Sequence, residues 1–222
     1  VTHAGPGRPR LSKQRRPGRT AAAEILDAAA ELFTTKGFAS TSTRQIADAV
    51  GVRQASLYHH FATKDDILAA LLEGTVSDAL AVANRLAERP EPAAVRLYAL
   101  LLFDAGQLLS GRWNLGALYL LPELRTDRFA RFREERRALQ TRYAQLAQLV
   151  LDDLGTDDTT RSGLPFRLVE TVINERSDAE AGGSAVIAPA TIAAAGLRVL
   201  GRTDTDELRS RAEPLLTEYR EA

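Results

Sequence analysis

Between Ser42 and Leu68 the chain reads STRQIADAVGVRQASLYHHFATKDDIL, and Gly51 in its middle constrains the fold more than any other single residue. Ser42-Thr43-Arg44-Gln45 has the S-x-x-Q spacing of a capping box, with Ser42 as N-cap. Ile46, Ala47 and Val50 then give a short apolar face, and Gly51 can take a positive φ that other residues reach only at a cost. A second short helix is expected over 54–60, turning Leu57 and Phe61 inward. Thr63 caps a further helix whose positive end carries Asp65 and Asp66. Helices shorter than ~12 residues are marginal by themselves, so both short segments must be covered by neighbours. Two short helices joined at a glycine, with small Ala47 where they touch, make a helix-turn-helix.

The flanks supply the cover. In TAAAEILDAAAELFTTKGF, residues Ile25, Leu26, Ala29, Leu32 and Phe33 share one helical face, and Lys36-Gly37 ends it. A long helix follows over 65–87 and stops before Pro90. It reaches into both halves of the chain, which makes it a natural lever between them. The second half again reads as helices, over about 92–109, 113–121, 128–154, 165–177, 189–201 and 204–221. Pro165 opens one of them in the first turn. SDAEAGGSAVIAP is a loop, with AVIAP as a possible extended piece. No segment alternates like a strand, so the fold class is all-α. The organisation expected is a basic arm at 1–19, a DNA-binding three-helix domain at 20–66 and a helical effector-response and dimerisation domain at 67–222.

Charge separates the two halves. The chain is neutral overall, yet residues 1–64 hold ten Lys/Arg against four acids, so the rest is acidic by the same margin. A basic front implies a polyanion partner there. Residues 1–19, rich in Gly, Pro and Arg, are expected to be disordered alone. They read either as a solubilising tail or as a minor-groove arm using Arg8 and Arg10. On the second short helix Gln54 can pair with adenine, Ala55 can meet a thymine methyl and Ser56 can reach either edge type. Thr43, Arg44, Tyr58 and Lys64 can reach phosphates. His59 is expected to face DNA while His60 packs. The alternative for the whole surface is the polar exterior of an ordinary helical unit.

The composition excludes other classes. There is no cysteine, which removes disulfides and thiolate chemistry and suits a reducing cytoplasm. No apolar run approaches the ~20 residues of a bilayer span, and no apolar leader opens the chain. Adjacent His59 and His60 sit ~100° apart on a helix, which is wrong for a shared metal. No nucleophile–base pair or phosphate loop appears, so neither an enzyme nor a cofactor is expected.

Residues 20–68 resemble the DNA-binding region of TetR-family transcriptional regulators. The resemblance rests on the first helix at 21–37, Thr43-Arg44-Gln45-Ile46-Ala47, Gly51-Val52, Leu57-Tyr58-His59-His60-Phe61 and Lys64-Asp65-Asp66-Ile67-Leu68. One departure is Arg53, where the family usually carries a small capping residue. That loses ~1 kcal/mol of capping and adds a phosphate-seeking charge. A narrower likeness, to the nitrogen-control repressors within that family in actinobacteria, includes Arg53. It extends to Gly7-Arg8-Pro9-Arg10, Arg112-Trp113-Asn114-Leu115-Gly116, Tyr119, Leu121-Pro122 and Leu164-Pro165-Phe166.

The resemblance implies a cytoplasmic homodimer on a palindromic operator of double-stranded DNA, released by an effector. The dimer bundle would come from 165–177 and 189–201, using Phe166, Val169, Ile173, Ala190, Ala193, Ala194 and Leu197. The small residues Ala190, Ala193, Ala194 and Gly196 would permit close helix approach, or would simply mark an Ala-rich core helix. Aromatic and polar residues that could line an effector pocket are Tyr98, Phe103, Trp113, Asn114, Tyr119, Phe132 and Tyr143, although such residues are more often plain core. The narrower likeness implies control of ammonium and urea genes and a PII-type signal protein as partner, with Arg125, Arg128 and Arg131 as contacts. The alternatives are a repressor of efflux or catabolic genes induced by a small apolar molecule, and a DNA-packaging protein that binds without sequence preference.

Overall fold

The computed structural model describes residues 16–156, 158–183 and 186–221. The chain divides into two compact units, Val1–Leu68 and Ala69–Ala222. Nine α-helices and four short 3-10 segments occur among the described residues, with no strand. The expected tail arginines Arg8 and Arg10 lie outside the described residues.

The first unit holds α1 (Ala21–Thr35), α2 (Thr43–Val50), α3 (Gln54–Tyr58) and the start of α4 (Lys64–Ala87). Thr20 caps α1, its hydroxyl accepting from the Ala23 N–H at 3.2 Å. α1 buries Ile25, Ala28, Ala29, Leu32 and Phe33 and packs against α2, while Ile46, Ala47, Val50 and Leu57 are buried on α2 and α3. Burying such side chains stabilises by roughly 1.5–3 kcal/mol for each large one. This is why α2 and α3 persist at eight and five residues. Phe33 and Phe38 pack edge to face at 5.0 Å. Buried Thr41 ties the α1–α2 loop down by donating to the Gly37 carbonyl at 2.9 Å.

The second unit is built around α5 (Ala93–Ser110), which packs against α6 (Ala130–Asp153), α7 (Leu164–Glu180), α8 (Pro189–Arg198) and α9 (Thr205–Glu221). With 18 residues and a mean hydropathy of 1.3, α5 is long and apolar enough to cross a membrane, where the sequence reading expected no such run. Its apolarity matches its place at the centre of the bundle: Leu97, Leu100, Leu101 and Ala105 are wholly buried. α8 approaches α5 closely at Gly196, where a Cβ would lie 2.8 Å from the Leu101 Cδ1. The open carbonyls at the end of α5 are met by buried Arg176, which donates to Leu108 at 2.6 Å and Gly111 at 2.8 Å.

Three elements differ from expectation. Residues 113–121 form no α-helix but a 3-10 segment, Leu115–Leu120, followed by two more at Pro122–Arg125 and Asp127–Phe129. Gly116 explains part of this, because it lies under Ile173 so tightly that a Cβ would come within 2.6 Å of it. α7 runs to Glu180, four residues into the stretch read as a loop. α9 continues through Pro214, which can supply no backbone donor.

Candidate nucleic-acid interface

The interface is assembled around Gly51. Its φ of 79° places the turn in the left-handed region, and its N–H donates to the Ala47 carbonyl at 2.9 Å. The Val52 N–H reaches the same carbonyl at 3.0 Å, so the chain leaves α2 on a closed hydrogen-bond pattern. At the other end of α2 the capping box is complete: Ser42 Oγ accepts from the Gln45 N–H at 3.3 Å, and Gln45 Oε1 accepts from the Ser42 N–H at 2.7 Å.

α3 is anchored by Leu57, which is fully buried, while Gln54, Ala55, Ser56 and Tyr58 are exposed. Phe61, expected inside, is only half-buried, because α3 ends at Tyr58 and Phe61 belongs to the following turn. Thr43, Gln54 and Tyr58 meet at the surface. Gln54 Nε2 donates to Thr43 Oγ1 at 2.9 Å and to the Tyr58 hydroxyl at 3.2 Å, and the two hydroxyls are 3.1 Å apart. This cluster links the start of α2 to α3 and leaves the Gln54 side-chain oxygen without a donor among the described residues. A base edge or a phosphate can exchange with these exposed bonds at little net loss.

The basic residues separate into two kinds. Arg44 has an 81% exposed side chain and its acidic partner among the described residues is Asp48, at 4.0 Å. Arg53 is also exposed, and as N-cap of α3 it makes no side-chain cap bond. Lys64 is different. It was expected to reach phosphate, but its ammonium donates to the Phe38 carbonyl at 2.8 Å and the Thr41 carbonyl at 2.9 Å, and sits 4.1 Å from the centre of the Phe38 ring. Lys64 therefore closes the α1–α2 loop onto the start of α4. The histidines also depart from expectation: His59 and His60 are both exposed, so neither packs. Thr63 caps α4 reciprocally, its hydroxyl accepting from the Asp66 N–H at 3.1 Å while Asp66 accepts from the Thr63 N–H at 2.9 Å.

The residues expected to line one effector pocket are not gathered into one. Tyr98, Phe132 and Tyr143 are core residues, and Asn114 is buried, donating to the Ile173 carbonyl and the Ser177 hydroxyl, both at 2.9 Å. Phe103 stands edge-on to Tyr219 and borders an open crevice of about 620 Å³ with Gln107, Pro189 and Glu213. Trp113 is half-buried under the Arg112 guanidinium. The Tyr119 hydroxyl donates to Thr75 Oγ1 at 2.6 Å, and with Phe132 it borders a separate groove of about 360 Å³.

The sequence reading missed Asp104. It is 3% exposed and accepts from the Tyr143 hydroxyl at 3.0 Å. Burial pushes its carboxyl up to about 7, against the opposing pull of the Tyr143 hydrogen bond and with help from the nearby Glu170 charge. A lone acid inside LYALLLFDAGQLL was the available signal.

The residues expected at a dimer interface are mostly occupied within the chain. Phe166, Val169, Ala193 and Leu197 are core, and Ala194 is 8% exposed. Ile173 covers Gly116, and the Ala190 carbonyl accepts from the Tyr98 hydroxyl at 3.4 Å. Gly196 of α8 lies against Leu101 of α5, and Ala193 and Ala194 are buried in the same core. The outer faces are Leu164, Arg167, Thr171, Asn174 and Asp178 on α7, and Thr191, Ala195 and Arg198 on α8.

Residues 25–71 match the family model described as bacterial regulatory proteins, tetR family. The chain is similar to the crystal structure of Mycobacterium smegmatis AmtR, with 58% identity and a TM-score of 0.86, covering 92% of this chain and 98% of that one. The HTH-type transcriptional repressor KstR2 of Rhodococcus jostii is 46% identical over 55 residues, 25% of this chain and 27% of that protein. The match thus spans about a quarter of that repressor's length. The structure of KstR2 from Mycobacterium tuberculosis shares the fold alone, at 20% identity and a TM-score of 0.64 over 85% of this chain and 97% of that one.

Proposed function

The chain belongs to the TetR family of transcriptional repressors, and from that premise we propose that it controls nitrogen-acquisition genes, including those for ammonium and urea uptake and use. TetR regulators act as DNA-binding dimers and are not enzymes. The observation that carries the narrower reading is the 58% identity to AmtR, which runs through 92% of the chain and so includes the half that varies most in such proteins. Resemblance to the nitrogen-control repressors implies an effector of the PII signal-protein type.

On DNA, α3 enters the major groove with Gln54, Ala55 and Ser56 toward base edges. Thr43, Arg44, Arg53, Tyr58 and His59, around α3, contact phosphates on either side. The bonds that hold Gln54 and Tyr58 to Thr43 fix their rotamers beforehand, which lowers the ordering entropy lost on binding. The operator is palindromic because the dimer presents two such helices. An effector that favours a different spacing of the two reading heads shifts the population off DNA.

Sheared genomic DNA retained by the purified protein, once sequenced, tests this. Palindromic sites upstream of ammonium-transport and urea-breakdown genes are expected. A single site beside the protein's own gene and an exporter would replace nitrogen control by a small apolar inducer. Retention without sequence preference would make it a packaging protein.

A further inference from the structure

Leu120 is 93% exposed, the most exposed large apolar side chain among the described residues. It ends the 3-10 segment Leu115–Leu120 and borders the groove already noted beside Tyr119 and Phe132. Four arginines line the same groove. Two are committed: Arg133 donates to the Leu124 and Thr126 carbonyls at 2.6 and 2.5 Å, and Arg136 pairs with Glu170. The other two, Arg125 and Arg137, are exposed, and neither pairs with an acid among the described residues. That contrasts with Arg89, Arg131, Arg202 and Arg209, each of which has a carboxylate partner.

We propose that this groove docks an acidic segment of another protein, with an apolar side chain against Leu120 and carboxylates on Arg125 and Arg137. The pattern is an apolar anchor flanked by guanidiniums that can grip carboxylates bidentately. The groove is open along its length, whereas a site for a small ligand encloses most of that ligand's surface. A second copy presenting the same patch about a twofold axis would set arginine against arginine, which disfavours self-association here. The proposal does not depend on which genes the protein controls.

A phage-displayed library of random twelve-residue peptides, panned on the immobilised full-length protein, tests it. Enriched peptides are expected to carry two or more Asp or Glu around a Leu, Ile or Phe. Their binding should weaken at least tenfold on the Arg125→Ala/Arg137→Ala double variant and on Leu120→Ser, and should fall as salt rises. Enrichment without acids, or unchanged binding to the variants, overturns the proposal. So does a dimer lost on Leu120→Ser in sedimentation, since the groove would then belong to a second copy. Operator retention by the same double variant, whose altered side chains make no ion pair, reads the repressor function separately.

Discussion

Lys64 shows how one side chain can carry opposite roles in sequence and structure. In the sequence it is one more cation at the edge of a basic surface. In the fold its ammonium is taken by two carbonyls and a ring face of the α1–α2 loop. Hydrogen bonds from a charged donor are worth about 1.5–3 kcal/mol. Lys64→Met should therefore lower stability by about 1–3 kcal/mol, read as a lower urea midpoint, with any loss of operator affinity tracking the unfolded fraction. A uniform loss of DNA binding with unchanged stability would restore the phosphate role. Asp104 supports a prediction in pH. Its carboxyl sits at about 7 in the fold, above the ordinary 3.8, so the folded state keeps a proton that the unfolded chain releases. That contribution is complete below about pH 4 and is lost as pH rises through 7. Denaturation of wild type and Asp104→Asn at a series of pH values should show the difference, wild type minus variant, falling across that window. A flat difference would mean that the carboxylate is ionised in the folded protein.

The helices themselves were legible wherever a cap or a breaker marked them. Ser42 with Gln45, Thr63 with Asp66, and Gly51 each do in the structure what their spacing implies, because caps and positive-φ turns are local physics. The 113–121 stretch was not legible. Its apolar residues fit a helical face, but the tight contact of Gly116 with Ile173, 57 residues away, decides its path. α3 offers a test at this scale. Arg53 occupies the N-cap without a side-chain bond. Arg53→Ser should raise the unfolding midpoint, a gain of ~1 kcal/mol. The same change should weaken operator binding and make it less steep in salt by the loss of about one phosphate contact. Unaltered salt dependence would place Arg53 away from DNA.

For the whole molecule, the dimer is where pattern and packing diverge. Small residues at 190, 193, 194 and 196 suggested a close contact between helices, and one exists, but it is α8 against α5 inside the chain. The outer faces of α7 and α8 are left exposed for self-association. Ala195 is half-exposed on that side of α8. Ala195→Arg should give a folded monomer in sedimentation, with operator affinity lowered at least tenfold because the two reading heads no longer act together. A dimer that survives this change would move the interface elsewhere.

The sequence by itself determined the all-helical class, the helix-turn-helix and the exposed face of α3. Each of these follows from periodicity, capping and charge over a few adjacent residues. Only the tertiary structure decided which polar groups were free. Lys64 and the Thr43–Gln54–Tyr58 cluster depend on atoms brought together from 11 to 26 residues apart. The same holds for the aromatic residues, which have one chemistry and three fates: Tyr143 in the core, Phe103 at a crevice and Tyr119 at a groove. Burial is a property of what lies opposite a side chain, and what lies opposite is set by distant segments of the chain.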